Sequence, residues 1–184
     1  MRVPIRHLAV VLTLCCALLA GVTACGGAGD SAQKTATAPA ASPSTTAERQ
    51  KFAKTRFVAN AGLAAGATYQ WIVGPWKAGK FAKGATGRKL ALVKAGVAGA
   101  FAYNRLKAAM RNAQGDPLLA KAVAPLAASV DALKDLPAKL RNGDSADAAA
   151  GTFDSLIGQV KGAGQSAGAV VQDQVPSAAQ LSGG

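Results

Sequence analysis

Apolar positions from residue 47 onward recur at intervals of three and four, with no sustained period-two alternation, so the chain reads as helix after helix. The clearest stripe is Leu118, Leu119, Val123, Leu126, Val130, Leu133, Leu136 and Leu140, and Phe153, Leu156, Ile157 and Val160 repeat it further on. Local signals set the boundaries. Thr45 and Glu48 form a capping box that opens a first helix over 47–73, and Gly74-Pro75 stops it. A Lys- and Gly-rich connector over 76–87 leads to a second helix over 88–114, which Gly115 closes as a left-handed cap. Asp116-Pro117 is an N-cap and first-turn pair for a third helix over 117–142, bent at Pro125 and again near Pro137. After Gly143, Asp144, Ser145 and Asp147 supply capping and first-turn oxygens to a fourth helix over 145–161. Four amphipathic helices on short loops predict an all-α protein, a small up-and-down bundle of about four helices.

Composition refines this picture. Of 184 residues, 44 are Ala and 21 are Gly, while aromatics make up 5%, so small side chains let helix axes approach closely and a few rings fill the gaps. The N-terminal end follows another logic. Arg2 and Arg6 precede an uncharged apolar run over 8–20, the pattern of a secretory signal and too short to span a hydrocarbon core of about 30 Å. The run ends in Val22-Thr23-Ala24-Cys25, which resembles the lipobox of bacterial lipoproteins: an aliphatic residue, two small residues and a cysteine. The resemblance implies cleavage before Cys25, lipidation of Cys25, and anchorage in a cell membrane at its extracytoplasmic face. Cys15 and Cys16 then leave with the signal, so the mature domain holds no disulfide. The Gly, Ala, Ser, Thr and Pro of 26–46 predict a disordered linker. The expected organisation is a signal peptide over 1–24, lipidated Cys25 and linker over 25–46, a helical domain over 47–175 and a disordered tail over 176–184. The Ala, Gly and Arg usage resembles that of small secreted lipoproteins of uncharacterised function from high-GC bacteria.

The residue inventory argues against an enzyme. The one His, His7, lies in the signal, and beyond it the chain has a single Glu and no free thiol. A Ser-His-Asp or Cys-His arrangement lacks its base, and a zinc or iron site lacks imidazole and thiolate ligands. No phosphate-cradling Gly-rich motif is present, and Asp131 and Asp135, four apart, read as a solvated helix face. No cofactor, metal or nucleic acid is expected.

Charge is what remains. The formal net charge is +12, and residues 49–111 hold 13 basic side chains and no acidic one, whereas 112–184 hold 5 basic and 7 acidic. Eight of the nine aromatics lie in the same basic half. Three readings compete. In the first, the aromatics are core, the bases are a solvated surface, and the acidic second half complements them within the domain. In the second, the first hairpin faces anionic lipids or envelope polymers, with Lys77, Lys80, Lys83, Arg88 and Lys89 beside Trp76 and Phe81 as the densest patch. In the third, the uncharged stretch 57–76, with Gly62 and Gly66 four apart, inserts into a membrane as part of a helical hairpin.

Overall fold

A computed structural model describes residues 45–182. Helix α1, Thr46–Thr68, opens on the capping box: the Glu48 amide donates to Thr45 Oγ1 at 3.2 Å, and the Thr45 amide to Glu48 Oε2 at 3.2 Å. Gly74-Pro75 does not stop this helix. It widens into a π-helical turn, Tyr69–Val73, and continues as α2, Gly74–Lys77. The wide turn absorbs the proline, which has no amide hydrogen to give, and the Gly74 amide reaches back to the Tyr69 carbonyl. A turn-rich connector leads to α3, Arg88–Ala113, which runs back antiparallel along α1.

The α3 terminus corrects a second expectation, because Gly115 does not take a left-handed conformation. The chain leaves α3 through tight turns, in which the Gln114, Gly115 and Asp116 amides bond carbonyls three residues back. Gly115 is needed for space: a Cβ there would sit 2.8 Å from that of Ala53 on α1. Asp116 caps α4, Pro117–Val123, by accepting from the Leu119 amide at 2.8 Å. The third segment bends at both prolines, as 3₁₀ turns Ala124–Leu126 and Leu133–Asp135 separate α4, α5 (Ala127–Ala132) and α6 (Leu136–Asn142). Gly143 closes α6 with φ +76°. Helix α7, Ala146–Ser166, outruns its expected end through Gly162 and Gly164. Ser145 before it has φ +52° and gives no side-chain cap.

The described residues are therefore a small all-α bundle closed around its own core. Phe57 and Phe153 sit fully buried among Leu106, Leu119, Leu133, Leu140 and Ile157, and Phe101 is buried as well. Leu118 is the exception in the predicted stripe, 66% exposed on the outer side of the first turn of α4. Gly96 and Gly99 bring α3 against α6, since a Cβ at Gly96 would lie 2.8 Å from Arg141 Cβ and one at Gly99 would lie 3.3 Å from Leu140 Cδ1.

The C-terminal end departs furthest from expectation. Beyond α7 the chain turns at Gly168 (φ +70°) and lies across α1 as a non-helical strap over 169–177, followed by α8, Ala178–Ser182. Ala169, Val171 and Pro176 are buried, and Leu181 packs against the core, so structure extends past the boundary expected at 175. Gly62 and Gly66 are the seat of the strap. The Gln174 amide donates to the Gly62 carbonyl at 2.9 Å, and a Cβ at Gly66 would overlap the Gln174 carbonyl. Their small size serves a backbone crossing within the domain.

Candidate anionic-surface site

The placement of the basic residues follows from the hairpin. Antiparallel pairing of α1 and α3 puts residues 49–56 beside residues 105–115 at one end of the bundle, and the connector after Lys77 at the other. With a rise of 1.5 Å per residue, Arg49 and Lys77 are separated by roughly 40 Å along the helix. The basic half thus has two ends, each with its own cluster.

At the connector end, the five residues singled out from the sequence do not act alike. Lys80, Lys83 and Lys89 are exposed, with no ion pair among the described residues. Lys77 lies 3.6 Å from Asp154 of α7, an exposed pairing worth about 0–1 kcal/mol. Arg88 is half-buried, and its guanidinium donates to the Phe81 carbonyl at 2.8 Å and to the Gly143 carbonyl at 3.4 Å. It ties the connector to the α6–α7 turn. Phe81 is buried and Trp76 half-buried, so the rings beside this patch belong to the interior.

The same holds for most aromatics of the hairpin: Phe57, Phe81 and Phe101 are buried, and Tyr69, Trp71, Trp76 and Tyr103 are half-buried. Lys94 lies over Trp71 at 5.6 Å, Lys161 over Tyr69 at 5.4 Å and Arg105 over Phe101 at 4.9 Å. Burial holds the Tyr69 phenol above its ordinary pKa of 10.0, with the Lys161 ammonium pulling the other way. Stretch 57–76 packs its Phe57, Ala61, Ala64, Ala65, Ala67, Ile72 and Val73 inside the bundle. No helix among the described residues is long and apolar enough to cross a membrane.

The acidic second half does complement the hairpin, at three points. Lys54, Lys77 and Lys107 pair with Asp116, Asp154 and Asp131 at 3.7, 3.6 and 2.9 Å. Its hydrogen bond to Asp131 holds the Lys107 ammonium above its ordinary pKa of 10.5. Asp131 is thus engaged by a lysine, and the described residues contain no cluster of three metal-ligating side chains. Ten of the thirteen bases remain without a carboxylate partner among the described residues.

At the opposite end, next to Thr45, Arg49, Phe52 and Arg56 of α1 face Arg111 and Asn112 of α3 across a cleft of about 460 Å³, floored by Ala53 and Gly115. Phe52 is 55% exposed, the one aromatic of the hairpin left largely in solvent. Sequence reasoning passed over this cluster. Its α1 half was readable, since 49, 52 and 56 share a helix face, but the approach of Arg111 depends on tertiary pairing.

No protein-family model, curated protein or solved structure matches this chain.

Proposed function

We propose that this chain is a lipid-anchored extracytoplasmic envelope protein, a non-enzymatic binding or structural module whose basic first hairpin faces anionic envelope components. The anchor rests on the Val22-Thr23-Ala24-Cys25 resemblance, which lies outside the described residues. The observation that carries the binding role is the segregation of charge. Thirteen bases and no acid occupy 49–111, and among the described residues the carboxylates of 112–182 pair with three of them. Each remaining Lys or Arg near an anionic surface contributes about 1 kcal/mol of attraction, fading over a Debye length of about 10 Å at 0.1 M salt.

Two measurements test the proposal. Mass spectrometry of the membrane fraction should find a diacylglyceryl group on Cys25 and no residue before it; an unmodified N-terminus defeats the anchor. The unlipidated chain from residue 26 onward should sediment with anionic and not with neutral vesicles and be released as salt rises. Binding indifferent to salt and to lipid charge defeats the electrostatic role.

A further inference from the structure

We propose that the cleft between Arg49, Phe52 and Arg56 of α1 and Arg111 of α3 is a phosphate site that seats the phosphodiester headgroup of an anionic lipid, with Phe52 entering the membrane interface. The inference rests on the reading of the basic hairpin as an anionic-surface module and assigns that role to one end of it.

Three guanidiniums line this one cleft, and none has a carboxylate partner among the described residues. Among the described residues, the Arg49 side chain donates to the Thr46 hydroxyl, at 3.5 Å. Two carboxylates lie near in sequence and neither lines the cleft: Glu48 is engaged by the Thr45 amide in the capping box, and Asp116 is 3% exposed and engaged by the Leu119 amide and Lys54. Three like charges around one concavity repel one another until an anion enters. Guanidinium presents paired N–H donors in a plane that matches phosphate oxygens two at a time. A cleft of about 460 Å³ is large enough for a headgroup, and its floor is closed by the contact of Ala53 with Gly115.

Phe52 separates a lipid headgroup from a phosphate free in solution. An exposed ring beside arginines gains nothing from a dissolved anion, whereas at a bilayer surface it leaves water as the arginines meet phosphate. Position agrees with this occupant. The described residues begin at Thr45, one turn before Arg49, and nineteen residues lie between Cys25 and Thr45. A lipid on Cys25 therefore lies within an extended reach of roughly 70 Å of this end.

The test compares two charge-matched triple variants of the unlipidated chain from residue 26 onward. R49Q/R56Q/R111Q removes three charges at the cleft, and K80Q/K83Q/K89Q removes three at the connector. On phosphatidylglycerol vesicles the cleft variant should lose affinity on the order of 100-fold, and the connector variant less than threefold. F52S should weaken vesicle binding while leaving glycerol phosphate binding, followed by amide chemical shifts of residues 49–56 and 111–115, unchanged. All variants change exposed side chains, and matching helical circular dichroism confirms folding. Equal losses from both triples, or none from the cleft triple, overturn the site while leaving the hairpin's general role intact. Glycerol phosphate bound at the cleft without vesicle binding overturns the lipid as occupant. Wild-type chain that binds neither overturns both the site and the function proposed above.

Discussion

Gly66→Ala would distinguish a glycine used for backbone crossing from one that merely weakens a helix. In a helix interior with free space, replacing Gly by Ala stabilises by about 0.5–1 kcal/mol, because Gly loses more conformational freedom on folding. Gly158 and Gly162 of α7 meet that condition, since a Cβ at either has nothing within 4 Å. A Cβ at Gly66 would instead overlap the Gln174 carbonyl and lie 2.6 Å from the Val175 amide nitrogen. Backbone atoms cannot turn aside as the end of a side chain does, so either the helix and strap shift together or the strap lifts. Shifting costs about 1–3 kcal/mol, as overpacked cores do. Lifting exposes Ala169, Val171, Pro176 and Leu181, at roughly 1.5–3 kcal/mol for a fully buried side chain of valine size, but returns about 1 kcal/mol or more of backbone entropy for each freed residue. The second route is close to balanced, which caps the penalty.

G66A should therefore lose about 1–3 kcal/mol where G158A and G162A gain about 0.5–1, opposite signs for the same chemical change. Urea unfolding reads the free energies, and thermal midpoints should move by roughly 2–8 °C per kcal/mol in a domain of this size. Native-state hydrogen exchange supplies the local reading, because the Gln174 amide, bonded to the Gly62 carbonyl at 2.9 Å, should lose protection in G66A while amides of α3 keep theirs. G62A/G66A should be little worse than G66A alone, since a strap already lifted cannot clash again. A G66A protein as stabilised as G162A, with Gln174 still protected, would refute the crossing.

Other changes test the rest of the account. Asp116→Ala removes the α4 cap and leaves Lys54 without its carboxylate, and should cost about 0.5–2 kcal/mol in urea unfolding. Phe153→Ala empties a fully buried site against Gly99 and should cost about 3–5 kcal/mol, whereas Leu118→Gln, on an exposed side chain, should stay within about 0.5 kcal/mol of wild type. Arg88→Gln should loosen the connector, seen as faster proteolysis within 78–87, while Lys83→Gln leaves that rate unchanged. Burial raises the Tyr69 pKa, so above pH 10 the unfolded phenol gives up its proton before the folded one. Stability should then be level through Tyr69 below pH 10 and fall above it, a decline that Tyr69→Phe lessens.

Local chemistry was readable wherever one residue type dictates one geometry. The Thr45–Glu48 box, the Asp116–Pro117 opening, the two proline bends and the Gly143 closure all stand where their residues place them. What failed to be legible depended on contacts between distant segments. Gly-Pro at 74–75 reads as a stop, yet a π turn carries the helix through it, and Gly115 reads as a left-handed cap although its role is to admit Ala53. Gly62 and Gly66 could be recognised as a close-packing pair, but their partner is a strap more than a hundred residues later, with no periodicity to announce it. The candidate surface divided in the same way. Five bases between 77 and 89 stand out by density, but Arg88 serves the fold, while the cleft at the other end draws Arg111 from a separate helix.

The strap also gives the molecule a direction. The described residues begin at Thr45 beside the arginine cleft, whereas α8 lies by Trp71, Val93 and Val97, roughly 40 Å away along α1. A reporter or second domain fused after Gly184 would start far from the arginines and leave them free. The same fusion at residue 45 would crowd them, and tension on a C-terminal fusion would act first on α8 and then on the Gly62–Gly66 crossing, peeling the strap before loading the rest of the core.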